Sequence, residues 1–277
     1  MISICKGCGK EFVTNRKARE YCSRSCSNKS NGNKRAAVPI RDRKYKVWSS
    51  GGGVQSTAIA VLIENGVLEK PDYGVMIDCG YEKTATLAYM HSITIPRMKK
   101  AGVPFFMLNT LDYTNNDLID GSGHVNIPAF RLKTNGKISK LHTHCNSTWK
   151  VKVMRAWARQ QNIHNMENWL GISTDEERRA KPSSRKWITL RYPLIELNMG
   201  REDCIYYIAQ AGWPMPPRSS CVFCPQQDAK SWHLVRNTPE DWNRVLEAER
   251  IIKNKASDVF LHRSCLPIEI ALRKDCN

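Results

Sequence analysis

The 277-residue chain reads as an α/β protein: a parallel sheet with helices on both faces, preceded by a small cysteine-rich module. Three observations predict it. From Tyr45 onward, short apolar runs alternate with helix-length stretches, as right-handed βαβ crossovers require. The stretch SSGGGVQSTA places three glycines where the first such run turns into a helix. Ahead of Tyr45, close-spaced cysteines stand in a segment with almost no apolar material for a core.

The bulk composition bounds the function. With 41% hydrophobic residues, a sizeable core is expected and wholesale disorder is not. No apolar run reaches the roughly 18 residues of a membrane span, and MISICKGCGK is not a signal peptide, so a soluble, cytoplasmic protein is expected. Lys and Arg number 43 against 26 Asp and Glu, a formal charge of +17. Residues 1–46 hold 13 of the basic residues and three acidic ones, Glu11, Glu20 and Asp42. A basic arm of this kind suits a polyanion, because each neutralised phosphate releases counterions.

The first element is the module itself. Cys5, Cys8, Cys22 and Cys26 form a C-x2-C-x13-C-x3-C array, two pairs able to surround one tetrahedral Zn²⁺. Gly7 and Gly9 allow the tight knuckle, and Phe12 with Tyr21 forms the miniature core. Residues 1–30 are expected to be this finger, folded only with metal. Residues 31–44, rich in Asn, Lys, Ser and Arg, read as a basic linker. Residues 45–277 are the main domain.

In that domain YKVW is a strand, TAIAVLIENGV a helix, YGVMIDCG a second strand, and KTATLAYMHSITIPRMKKAG a helix ending at Gly102. VPFFMLN and WLGIS are further strands. Ligands of such sheets bind beyond the carboxyl ends of the strands, and SSGGGVQSTA is at the first. Unpaired N–H groups and the helix dipole make it an anion site, with Gly51, Gly52 and Gly53 permitting close approach and Ser50, Ser56 and Thr57 adding hydroxyls. The pattern is neither a Walker loop nor a dinucleotide fingerprint.

SSGGGVQSTA followed by MIDCGYEKTATLAYM resembles the opening of the phosphoadenylyl-sulfate (PAPS) reductase and ATP-pyrophosphatase superfamily, specifically a divergent bacterial and phage-encoded branch. The usual SGGxDS loop is altered: one residue is added before Ser56, and Gln55 replaces the Asp. The likeness extends to LHTHCNSTWK, GISTDEERR, YPLIE and GREDC, from about Lys46 to Ile268. It implies a Rossmann-like adenine-nucleotide fold binding ATP or PAPS with Mg²⁺ in a bacterial or phage-infected cell. Ser50, Gly51, Gly52, Gly53, Gln55, Ser56, Thr57, Gly80, Glu82, Lys150 and Arg178 would bind the nucleotide. Asp78 and Asp175 would act at its phosphates or metal, Asp78 having a turn residue as its plain alternative. Cys79 reads as a packed core thiol.

Four thiols remain together: Cys145, Cys204, Cys221 and Cys224, the last two a C-x2-C pair. A [4Fe–4S] cluster, a zinc ion or a metal-free dithiol each fits the count. Relatives with clusters favour the first. His142 and His144 read as surface or substrate-side groups. Near the C-terminus, Cys265 beside His262 and Arg263 reads as a thiolate of lowered pKa, and Cys276 as a tail thiol. The ECG(L/I)H-like end of PAPS reductases is absent.

The resemblance and the basic arm together point to ATP-dependent sulfur transfer to tRNA or DNA: adenylation of the target oxygen, then displacement of AMP by sulfur from a donor such as a cysteine desulfurase. Reduction of a sulfonucleotide and non-catalytic nucleotide sensing on nucleic acid are the alternatives. A homodimer is compatible with either enzyme reading.

Overall fold

The structure, a computed structural model, describes residues 2–6, 8–13, 20–23, 26 and 43–274. Gly7, most of the linker and Cys276 lie outside the described residues. The chain divides into two compact units, Met1–Asp42 and Arg43–Asn277.

The first unit contains a two-stranded antiparallel ribbon, β1 (Ile2–Ile4) with β2 (Glu11–Val13), in which Ser3 faces Phe12. The turn between them is the expected knuckle. Lys10 O accepts from Cys5 N–H at 2.9 Å, Cys5 O accepts from Gly9 N–H at 2.9 Å, and Gly9 has φ +71°. That positive φ is a region where a side chain would be strained.

The second unit is built on five parallel strands in the order β5–β4–β3–β8–β9. These are β3 (Tyr45–Ser50), β4 (Tyr73–Asp78), β5 (Phe105–Asn109), β8 (Met166–Leu170) and β9 (Ile188–Arg191). Alternate residues of β3 feed opposite faces, as strand geometry requires. Trp48 packs with α1 (Val54–Glu64) on one face, and Val47 with Val153 and Trp157 on the other. The chain leaves β3 through α1 to β4, then passes through α2 (Thr84–Tyr89) and α3 (Ile95–Lys100) to β5. It returns on the other side of β3 to form β8 and β9. The strand order therefore reverses at β3, and the crevice at that switch point is where such sheets bind ligands.

Sequence reading placed β3, β4, β5 and β8 but missed β9. Edge strand ITLR is short and flanked by charge, and its Arg191 ties to Glu69 and Glu196 on the sheet border. Such a charge keeps an edge from pairing with other chains. Also unforeseen is a three-stranded antiparallel sheet of β6 (Phe130–Leu132), β7 (Ile138–Lys140) and β10 (Val259–Phe260). It shares a separate apolar core with α7 (Ala229–Arg236), α8 (Pro239–Lys255) and α9 (Ile268–Lys274), centred on Trp232, Val245, Ile252, Leu261 and Leu272.

Two π-helical segments interrupt the regular helices. Met90–Thr94 joins α2 to α3, and Asn146–Val151 leads into α4 (Lys152–Gln160). Such segments re-aim side chains and recur at functional sites. Here the first sets Met90 beneath the glycine turn, and the second carries Lys150. Two short helices, α5 (Pro193–Glu196) and α6 (Arg201–Gln210), complete the unit. Among the described residues no helix is long and apolar enough to cross a membrane.

Candidate active site

The glycine turn follows β3 directly. Ser50 Oγ accepts from Gly52 N–H at 3.3 Å and from Ser56 Oγ at 2.9 Å, while Ser56 Oγ accepts from Gly51 N–H at 3.1 Å. The hydroxyls expected to meet a ligand are thus spent bracing the loop. The ligand-facing donors are instead the first N–H groups of α1, which have no partner inside the helix. No acidic residue occupies that first turn, so the positive end of the helix dipole is uncompensated.

The glycines are required by close approach. Gly52 has φ +69°, and a Cβ there would lie 2.7 Å from Thr86 Cγ2. On Gly53 a Cβ would lie 2.7 Å from Ser219 Oγ. Gly171, at the end of β8, packs so tightly that its Cβ would stand 3.1 Å from the Ser56 backbone nitrogen.

The turn opens onto a cleft of about 1120 Å³ at the carboxyl ends of β3 and β8. Ser50, Gly51, Gly53, Gln55, Ser56, Lys150 and Asp175, all anticipated from sequence, line it. Its cations are Lys150, Arg155, Arg179, Lys181, Arg201 and Arg218, against the carboxylates Asp175 and Glu176. An excess of that sign suits a polyphosphate. Arg155, Arg179, Lys181, Arg201 and Arg218 were missed because they come from loops and helices that only folding brings to the cleft. Arg201 explains Gln55: its guanidinium donates to Gln55 Oε1 at 3.5 Å, while its backbone N–H donates to Asp175 Oδ2 at 2.5 Å. An amide at position 55 therefore leaves the Arg201 charge uncancelled for a ligand.

Several expected residues stand elsewhere. Thr57 is buried, and Gly52 faces Thr86 and Met90. Asp78 closes a turn: its Oδ1 accepts from Gly80 N–H at 2.8 Å, and neither residue lines the cleft. Arg178 is exposed outside the lining, and its neighbour Arg179 takes the cleft position. Cys265 is buried between β10 and α9, and burial raises its thiol pKa, with Lys253 only partly opposing. This corrects the expectation of a lowered-pKa thiolate, because the nearby His262 engages Ser264 at 2.8 Å instead.

Glu82 and Lys150 form a pair at 2.6 Å, with the Glu82 side chain only 2% exposed. Burial pulls the Lys150 pKa down, but the charges of Glu82, Cys221 and Cys79 outweigh it and hold the ammonium protonated. Glu82 thus positions Lys150 rather than facing the cleft.

Beside this pair lies a group of thiols. Cys79 Sγ and Cys221 Sγ are 3.5 Å apart, and both fall within 4.8 Å of a Glu82 carboxylate oxygen. Cys224 N–H donates to Cys221 O at 3.1 Å. Cys145 opens the π segment and packs against the same apolar core, where burial, then the charge of Cys224, raises its thiol pKa. In the Cys79–Cys221 pair the first ionisation is eased at Cys79 by the S–H of Cys221 and then by Lys150. The second is pushed up at Cys221 by that same bond and by burial. Cys204 does not join them. It is buried in α6 against the α1 core, with its thiol pushed up to about 12 chiefly by burial.

In the first unit Cys5, Cys8, Cys22 and Cys26 offer sulfurs within 4.8 Å of one another. Cys22 is pushed up to about 12, first by its contact with Cys26, then by Cys5 and Cys8. Protonated thiols sharing hydrogens in this way are what a divalent cation displaces.

Fold and site define a class: a parallel α/β protein with a phosphate-binding turn at the switch point and a thiol group at the same sheet edge. One solved structure similar to this chain is the U34-tRNA thiolase NcsA from Methanococcus maripaludis with its [4Fe-4S] cluster, at 16% identity, covering 91% of this chain and 89% of that one, with a TM-score of 0.42. No family model matches the chain, and no curated protein matches it.

Proposed function

We propose that this chain is an ATP-dependent sulfurtransferase acting on a nucleic acid, either tRNA or DNA. The observation that carries the reading is the position of Lys150. It lines the phosphate cleft, and its ammonium is bound to Glu82 next to Cys79 and Cys221. Nucleotide chemistry and sulfur chemistry therefore share one residue.

The residues divide the work. The N-terminus of α1 and the cations Arg179, Arg201 and Arg218 hold the polyphosphate, and Asp175 is the carboxylate on the cleft wall that suits Mg²⁺. Lys150 stabilises charge as the target oxygen attacks the α-phosphorus and pyrophosphate leaves. The oxygen, now bonded to AMP, departs when a sulfur nucleophile from a donor such as a cysteine desulfurase attacks the carbon that bears it. The thiols fit a [4Fe–4S] cluster in chemistry, since Cys145, Cys221 and Cys224 are soft donors in a water-poor setting beside a cation that favours thiolates. Such a cluster supplies iron with affinity for sulfur. The finger, with Zn²⁺ on its four cysteines, and the basic linker supply phosphate contacts that set register without reading sequence.

The test is pyrophosphate release from ATP by the anaerobically purified chain, with tRNA or DNA added. Release that depends on the polymer, and falls at least about tenfold in Lys150→Met, is expected for an interaction made mainly in the transition state. Nucleotide binding with no pyrophosphate formed on either polymer refutes the proposal.

A further inference from the structure

Cys79 was read from sequence as a packed thiol and Cys204 as a cluster ligand; the structure exchanges their surroundings. We infer that Cys79 is the fourth protein thiolate of the metal centre at Cys145, Cys221 and Cys224, and that it closes that centre to outside sulfur. The inference rests on the cluster reading above and refines it.

Geometry comes first. Cys79 Sγ lies 3.5 Å from Cys221 Sγ, at the carboxyl end of β4, adjacent to the strand that ends in the glycine turn. Cys204 lies in a different core, among Trp48, Ala58 and Leu62. The second observation is the company Cys79 keeps. A thiol that merely packs needs only apolar neighbours, as Cys204 has. Cys79 instead adjoins an ion pair whose carboxylate is 2% exposed. Burying such a pair has a desolvation cost of several kcal/mol per ion, repaid only by further favourable charges. Thiolates on a bound cation are such charges, because thiols must lose their protons to ligate metal. Lys83, itself buried, adds a second cation near Cys224.

Four protein thiolates leave no iron of a [4Fe–4S] group without a protein ligand. An outside sulfur donor then reaches iron only when Cys79 is displaced. Cys79 thus acts as a gate on the proposed reaction.

The experiment uses the full chain, reconstituted with iron and sulfide without oxygen, as wild type and as Cys79→Ser, Cys79→Ala, Cys204→Ser and Cys145→Ser. Iron content, visible absorbance and paramagnetic resonance after mild oxidation are recorded, then repeated with added sodium sulfide. The wild type and Cys204→Ser are expected to keep their iron on oxidation and to show no spectral change with sulfide. Both Cys79 variants are expected to lose one iron on oxidation, giving a three-iron signal, and to change spectrum with sulfide. A wild-type spectrum that shifts with sulfide overturns the inference even if the variants do not fold. So do Cys79 variants indistinguishable from wild type, or a three-iron signal in Cys204→Ser. A wild type that takes up no iron beyond Cys145→Ser overturns the cluster reading itself, and the inference with it.

Discussion

Replacing Gly52 by alanine probes the architecture of the glycine turn. The residue has φ +69°, a left-handed conformation costing an L-residue about 1–2 kcal/mol. Its new methyl would stand 2.7 Å from Thr86 Cγ2, and Thr86 is fully buried. A β-branched side chain has one strongly preferred rotamer in a helix, so Thr86 cannot swing aside, and overpacking of this kind costs about 1–3 kcal/mol. The sum is about 2–5 kcal/mol, which for a unit of this size lowers the melting temperature by about 4–20 °C. Trimming the obstacle separates the contributions. In Gly52→Ala/Thr86→Ser the Cγ2 methyl is gone, so only the backbone strain and a small cavity remain. Thermal unfolding by circular dichroism of the wild type, both single variants and the double variant forms a cycle. A double variant more stable than the sum of the singles, by about 1–3 kcal/mol, is expected. Additive effects, or a Gly52→Ala chain as stable as wild type, refute the packing argument.

Removing the ammonium in Lys150→Met leaves Glu82 buried without its partner, an expected loss of about 3–5 kcal/mol in chemical denaturation that Glu82→Gln in the same chain largely restores. Asp228 caps α7 by accepting from Ser231 N–H at 2.8 Å and pairs with Arg218, so Asp228→Ala is expected to cost about 1 kcal/mol at neutral pH. The Ser231 contacts, with Arg218 adding to them, depress its carboxyl to about 2 from 3.8. A depressed carboxylate stabilises above its unfolded pKa and loses that stabilisation as pH falls through the folded one. The gap between wild type and Asp228→Ala should therefore narrow from about pH 4 to about pH 2. A chelator strong enough to strip zinc is expected to unfold the ribbon of β1 and β2, read as lost amide protection over residues 2–13, while β3 and β4 keep theirs.

Much of this fold is legible in local pattern. The alternation of apolar runs and helices gives β3, α1, β4 and β5, because period and length are properties of a few consecutive residues. The glycine turn is legible for the same reason: three glycines between a strand and a helix have a local cause. Edge strand β9 and the antiparallel sheet of β6, β7 and β10 are not, since strands of two to four residues acquire their identity from partners far along the chain.

The site divides along the same line. Sequence alone determined the phosphate-binding turn, the four-cysteine array of the finger and the candidacy of Lys150 and Asp175, each written in adjacent residues or in a spacing. Tertiary structure decided which thiols meet. Cys79 and Cys221 are separated by 142 positions yet stand 3.5 Å apart, while Cys204, equally plausible by spacing, is turned into the α1 core. It also turned Glu82 from the cleft to Lys150, and Asp78 to its own turn. A motif records which groups are near along the chain, whereas ligation and ion pairing depend on distance through space, and only packing sets that distance.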